Sequence, residues 1–353
     1  MAETAKMIAN LVCPAPLPAK DTIVLGHGSG GRLSAELIQN VFLPAFQNPI
    51  LGRLDDQAVV NLNGTRLAFT TDSFVVKPLF FPGGDIGSLA VHGTVNDLAM
   101  GGAKPLFLSA AFILEEGLSV ERLRRVVQSM RDAAAAAGVT IVTGDTKVVE
   151  KGSGDQLFIN TTGIGVVPEG VNLSANTARP GDKVLLSGTI GDHGIAILAQ
   201  REGLGFESRI ESDSAALHTL VAEMLEVSHN IRCMRDPTRG GVSSTLNEIA
   251  AQSRVGIELI ESQIPVCEEV RGACEMLGLD PLYVANEGKL IAIVDAAVAD
   301  QMLAAVRKNP LGKDAHTIGT VTSAHPGLVT MRTLLGTSRI VDMLTGDQLP
   351  RIC

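Results

Sequence analysis

The sequence predicts an α/β protein of two domains, with α+β packing of helices on sheets, and three observations carry that expectation. At about 150 residues per domain, a chain of 353 residues divides naturally into two. Hydrophobic residues make up 45% and charged residues 19%, the balance of a chain that buries a core. Strand-like and helix-like segments alternate on both sides of the punctuation Pro168-Glu169-Gly170 and Arg179-Pro180-Gly181-Asp182. The expected organisation is an extension at 1–20, a first domain at 21–175, a second at 176–345 and a mobile tail at 346–353.

In chain order, the glycine-rich loop Gly26–Gly31 precedes a helix from Leu33 to Val41. Two β-branched runs, Ala58 to Leu62 and Thr65 to Thr71, flank Asn63-Gly64, a hairpin turn signature. Helical spacing of Leu89, Val91, Val95 and Leu98 predicts a helix over Gly87 to Met100. A strand over Leu106 to Leu114, a helix over Val120 to Ala137 stopped by Gly138, and strands at Val139 to Thr143 and Gln156 to Val167 complete the first half. The second half reads as a strand at Lys183 to Ser187, a helix after Gly191, helices near 213–226, 240–253 and 267–277, and strands near 256–260, 289–294 and 316–322.

The net charge is −9 and no Lys/Arg run stands out, which argues against a nucleic-acid binder. With no Trp and only Tyr283 as tyrosine, few platforms exist for stacking bases. No apolar run approaches the roughly 18 residues of a membrane span, and no signal peptide is evident. Cys13, Cys233, Cys267, Cys274 and Cys353 form no CxxC pair and suit a reducing cytoplasm. Small molecules or partner proteins remain as the targets.

The candidate chemistry lies in acidic residues expected at the ends of elements: Asp55-Asp56, Asp72, Asp97 and Asp145. Each alone is an ordinary turn or helix cap. If they converge, each close pair of like charges costs about 1–4 kcal/mol, a cost that a hard divalent cation such as Mg²⁺ on nucleotide phosphates removes. The glycine loop, with Gly28, Gly30 and Gly31, could offer N–H groups to phosphate, although its spacing fits neither dinucleotide nor Walker signatures. Asp236, Arg239 and Gly240 open a helix in the second half and read either as an anion cradle or as an ordinary cap. Glu287, before an apolar strand, is a candidate base if desolvated, and Lys147 a phosphate contact or a solvated side chain. Cys353 ends a polar tail whose eight residues reach about 26–29 Å when extended, the behaviour of a carrier arm.

Taken together, the runs His27-Gly28-Ser29-Gly30-Gly31, Asp72-Ser73-Phe74, Pro78–Gly84, Phe112–Gly117, Thr143-Gly144-Asp145-Thr146-Lys147, Asn286-Glu287-Gly288-Lys289 and Pro350-Arg351-Ile352-Cys353 resemble the HypE family of hydrogenase maturation factors. That family of carbamoyl dehydratases lies within the aminoimidazole ribonucleotide synthetase-like (PurM-like) superfamily, and the resemblance runs from Gly26 to Cys353. It implies a homodimer whose first-domain sheets pair into a barrel, a second α/β sandwich domain, and ATP with Mg²⁺ near Asp56, Asp72, Asp97 and Asp145. It implies that Cys353 receives a carbamoyl group from the carbamoyltransferase HypF. ATP-dependent dehydration then yields a thiocyanate whose cyano group passes to iron on the HypC–HypD scaffold. Lys147 would stabilise developing charge and Glu287 would take the nitrogen proton. Two relatives fit less well: selenophosphate synthetases carry a Cys or Sec in the glycine loop, and thiamine monophosphate kinases give no reason for Cys353. A carrier that only ferries carbamoyl groups is the non-enzyme alternative.

Overall fold

The computed structural model describes residues 22–203 and 210–346. Helix α1 (Arg32–Leu37) continues through a π turn at Ile38–Phe42 into a last α turn at Leu43–Phe46, so it outruns the expected end at Val41. The hairpin β1 (Ala58–Leu62) and β2 (Thr65–Phe74) turns at Asn63 and Gly64, both with positive φ (51° and 87°), as the Asn-Gly signature requires. A short ribbon, β3 (Phe80–Phe81) with β4 (Gly84–Asp85), leads into α2 (Ile86–Met100). Asp85 starts that helix by accepting from the N–H groups of Gly87 and Ser88 at 2.7 and 3.1 Å, while Ser88 Oγ accepts from the Asp85 N–H. The half closes with β5 (Lys104–Glu115), α3 (Val120–Ala136), β6 (Thr140–Val149) and β7 (Leu157–Val166).

These strands form one sheet ordered β1-β2-β7-β5-β6, with only β5 and β6 parallel. The buried helix α2 and the amphipathic α3 cover one face through Leu89, Val95, Val126 and Met130. The opposite face is bare: Phe69, Phe107, Ile113 and Ile164 are exposed on it, and β6 is a long outer edge.

The second half runs β8 (Lys183–Leu186), α4 (Asp192–Glu202), α5 (His218–Val227), β9 (Ile231–Arg235), α6 (Gly241–Ser253), β10 (Gly256–Ile260), α7 (Glu268–Leu277), β11 (Ile291–Val294), α8 (Ala299–Val306), β12 (His316–Thr322), β13 (Val329–Arg332) and β14 (Ser338–Ile340). Its sheet is ordered β14-β13-β10-β12-β8-β11-β9. One face packs on α6 through Val242, Leu246 and Ile249. The other packs on α5 and α8 and continues into the first half, where Leu98, Ala99 and Met100 at the end of α2 join Leu217, Leu220 and Met224 in one core. That shared core fixes the cleft between the halves. No helix among the described residues is long and apolar enough to cross a membrane.

Three expectations need correction. The strand expected to stop at Thr143 runs to Val149, because β6 keeps its parallel pairing with β5 through Glu115. The helix expected from residue 213 starts at His218: Asn96 of α2 accepts from the Leu217 N–H and donates to the Ala215 carbonyl, holding 213–217 out of the helix despite its alanines. The aspartates expected at element ends include three inside elements: Asp72 within β2, Asp97 within α2 and Asp145 within β6.

Candidate functional site

A cavity of about 440 Å³ opens where the two halves meet. Its carboxylates come from six places in the chain: Asp56 before β1, Asp72 in β2, Asp97 in α2, Asp236 just after β9, Glu248 in α6, and Glu287 in the loop ahead of β11. Leu37 at the end of α1 and Ile38 and Phe42 in its π turn line the same cavity. Strand β2 can place Asp72 here because Gly93 lets α2 pass close; a Cβ there would lie 2.9 Å from the Phe74 ring.

Burial and mutual repulsion strain these charges. Asp56 and Asp97 are held well above the ordinary carboxylate range, first by burial and, for Asp97, next by Asp236, Asp72 and Asp56. Burial also raises Asp72, against the pull of Arg239, and lifts Asp236 to about 6. Glu287, 2% exposed, is raised strongly by burial and then by Asp236, Asp72 and Asp213. Compensation is local: Thr70 Oγ1 donates to Asp97 Oδ2 at 2.8 Å, and Arg235 Nε stands 2.6 Å from Asp56 Oδ1. Arg235 also binds Glu248 at 2.8 Å and donates to the Leu54 carbonyl, tying β9 and α6 to the approach of β1.

The donor set suits a hard divalent cation. Asp56 Oδ2 is buried with no partner, and the surrounding oxygens carry repelling charge that such an ion would neutralise. Among the described residues no three His, Cys, Asp or Glu side chains stand close enough to enclose an ion by themselves. Mg²⁺ is commonly held by one or two carboxylates, with phosphate oxygens and water completing the shell.

The glycine loop forms the rim. Residues Leu25–Gly28 make a 3₁₀ turn, and His27 and Gly30 line the cavity. Gly30 has φ of +72° and lies so near Arg239 that a Cβ would meet its carbonyl oxygen at 2.5 Å. Gly31 packs equally close to the Leu344 carbonyl, at 2.2 Å from a built Cβ, and Gly240, at φ +75°, packs against Ser244. Arg239 donates to the Gly28 carbonyl at 3.3 Å. The loop is thus wedged between the entry to α6 and the segment 341–346, which Arg32 also holds through Asp342 (2.7 Å) and the Leu344 carbonyl (2.9 Å).

A single chain does not bring Asp145 and Lys147 to this cavity. They form an exposed 2.9 Å ion pair on β6, the edge opposite β1, where Lys147 holds the Asp145 carboxyl below its ordinary value. Asp55 turns away as well, accepting from Ser174 Oγ and the Ala175 N–H. Cys353 and Cys13 lie outside the described residues; the last described residue, Gly346, sits at the rim, where its carbonyl accepts from Ser29 Oγ at 3.3 Å. Sequence reasoning missed Arg235, Thr70, Asn96 and Asp213; only Arg235, inside the Arg235–Gly241 run, carried a usable signal.

Paired α/β halves with carboxylates buried between them place the chain among the AIR synthase related proteins. The N-terminal domain of that class matches residues 54–167 and its C-terminal domain residues 179–330. Within the class, the chain belongs to the HypE family of hydrogenase maturation proteins. It is 60% identical over 332 residues to the carbamoyl dehydratase HypE of Cupriavidus necator, covering 94% of this chain and 95% of that protein. A HypE crystal structure in complex with ATP superimposes with TM-score 0.79 at 54% identity, covering 94% of this chain and 100% of that one. HypE in a HypE–HypF complex gives TM-score 0.83 at 54% identity, over 87% and 99%.

Proposed function

We propose that the chain is an ATP-dependent carbamoyl dehydratase acting on its own C-terminal cysteine, charged by a HypF-type carbamoyltransferase. The observation that carries this reading is the convergence of six carboxylates, Asp236 and Glu287 buried and Asp56, Asp72 and Asp97 half-buried, on a cavity whose rim holds the root of the tail ending in Cys353. From Gly346 the seven remaining residues span up to about 23–25 Å, which supports delivery of the thiol into the same chain's cavity. The ATP-bound relative supports nucleotide binding here, and the HypF-bound relative supports that partner.

In the proposed reaction the carbamoyl oxygen on Cys353 attacks the γ-phosphorus of ATP and ADP leaves. The carbon–oxygen bond of the phosphorylated intermediate then breaks, releasing phosphate, and loss of the two nitrogen protons leaves S–C≡N. Sulfur keeps the carbon throughout, so the products are a thiocyanate, ADP, phosphate and a proton. An amide oxygen leaves poorly until phosphorylated, and phosphoryl transfer is catalysed mainly by positioning and charge. Asp56, Asp72 and Asp97 would hold Mg²⁺, which supplies charge neutralisation at the phosphates. Gly28, Gly30, Gly31, Gly240 and Arg239 would line the phosphate path beside Asp236, with Leu37, Ile38 and Phe42 receiving the base. Glu287, held protonation-ready by burial, would accept a nitrogen proton. The bare sheet face and exposed edge β6 support a homodimer with paired sheets, in which Asp145 and Lys147 would reach the partner's nucleotide. The HypC–HypD scaffold is the proposed acceptor of the cyano group.

Mass spectrometry of the C-terminal peptide tests this. With HypF, its substrates and Mg²⁺-ATP, Cys353 should gain a carbamoyl group and then lose one water; with a non-hydrolysable ATP analogue supplied for the second step, the carbamoyl group should remain. An adduct that persists with hydrolysable ATP would reduce the chain to a carrier.

A further inference from the structure

Glu287 is held in an unusual way: both of its backbone polar groups bind side chains from distant parts of the chain. Its N–H donates to Asp213 Oδ1 at 3.1 Å, and its carbonyl accepts from Asn96 Nδ2 at 3.2 Å. Asn96 is wholly buried in α2, next to Asp97, and fastens the 213–217 segment with its remaining hydrogen bonds. The second Asp213 oxygen lies 3.2 Å from Lys289 Nζ, two residues beyond Glu287, with side chains only 4% and 13% exposed. Gly288 presses against the same segment, since a Cβ there would meet the Asp213 carbonyl oxygen at 1.7 Å. The Lys289 stem in turn lies over Gly188, whose Cβ would be 3.0 Å from Lys289 Cε. Nothing in this arrangement leaves the Glu287 loop free to swing.

We propose that Asp213, anchored by Lys289, is a positioning residue that fixes the Glu287 peptide so that its carboxylate faces the reacting thiocarbamate nitrogen. The proposal rests on the reading of Glu287 as the proton acceptor. A latch needed only for stability would be poorly served by this chemistry. A buried ion pair is often no more stabilising than an apolar pair of the same volume, and this one puts a further negative charge beside carboxylates that already repel one another. What the pair supplies is direction: one carboxylate oxygen is spent on the Glu287 N–H and the other on the cation that follows Glu287 in the chain. A displacement of about 1 Å at a reacting group can cost roughly a hundredfold in rate, which is the scale on which such anchoring matters.

The test uses the full-length protein, carbamoylated by HypF and then mixed with Mg²⁺-ATP in a single turnover, with conversion of the C-terminal adduct followed by mass. Asp213→Ala should slow dehydration by about ten- to a hundredfold, with ATP affinity and carbamoylation within about twofold of the unaltered protein. Asp213→Asn keeps volume and an acceptor for the Glu287 N–H, so it secures the result should the alanine variant fold poorly; it should lose less. The deciding arm is Glu287→Gln combined with Asp213→Ala. If Asp213 acts through Glu287, the double variant is no slower than Glu287→Gln alone. Equal slowing on top of Glu287→Gln, weakened ATP binding alone, or an unaltered rate in Asp213→Ala would each overturn the proposal. A Glu287→Gln protein that dehydrates at full rate would instead overturn the reading of Glu287 itself.

Discussion

Single residues of the cavity are tuned by their surroundings more than by their type. Asp236 and Asp72 carry the same side chain as Asp145, yet burial raises the first two while Lys147 lowers the third on an open strand. For a carboxyl raised in the native state, that state binds more protons than the unfolded chain between the two pKa values. Its contribution to stability therefore falls as pH rises through that window, here from the ordinary value to about 6 for Asp236. A cation that needs the ionised form gains what the free protein loses. The rise in Tm on adding Mg²⁺-ATP should accordingly be largest near neutrality and shrink as pH falls through about 6. Comparing protein with and without Mg²⁺-ATP at each pH cancels the opposite contribution of His92, whose pKa burial lowers to about 4. A Tm rise that stays constant across this range in scanning calorimetry would contradict the assignment.

Among the elements, the glycine loop and the tail root form one unit. Gly31 sits against the Leu344 carbonyl with no room for a side chain, and the next N–H, that of Arg32, donates to that same oxygen. Gly31→Ala should push segment 341–346 off the loop, at about 1–3 kcal/mol of local strain. Amide exchange at 341–346 should speed up and single-turnover dehydration should fall about tenfold, while HypF still carbamoylates Cys353. Unchanged exchange at 341–346 would separate the root from the loop. The same unit explains an imperfect reading of the sequence. Gly26–Gly31 was legible as a special loop from its glycines, but its partner segment is more than 300 residues away and nothing local points to it.

At the scale of the molecule, the first sheet leaves an apolar face exposed among the described residues, at Phe69, Phe107, Ile113 and Ile164. Val142 and Val148 stand 58% and 67% exposed on β6, and a long open edge of this kind invites pairing with another chain. Val142→Arg should convert the proposed dimer to monomer in sedimentation equilibrium and reduce ATP turnover, since Asp145 and Lys147 would no longer reach a partner's cavity. A Val142→Arg protein that remains dimeric would refute sheet-to-sheet association.

Periodicity and turn chemistry made the hairpin at Asn63-Gly64, the buried helix α2 and the amphipathic α3 legible, because these depend on neighbours within a few residues. The same local rules missed β9, β13 and β14, short strands whose pairing partners are remote in sequence. They also set the start of α5 too early, since one buried amide, Asn96, overrides the helix preference of Ala215 and Ala216. The sequence by itself determined the α/β class, the acidic inventory, the glycine loop and the cysteine at position 353, because composition and motif spacing carry them. Only the tertiary structure decided which carboxylates share a cavity, that Arg235 pairs with Asp56, that Asp145 stands apart on an outer edge, and that Glu287 is braced by Asp213 and Asn96. Those are contacts between residues far apart in the chain, and they exist only once the shared core has brought the two halves together.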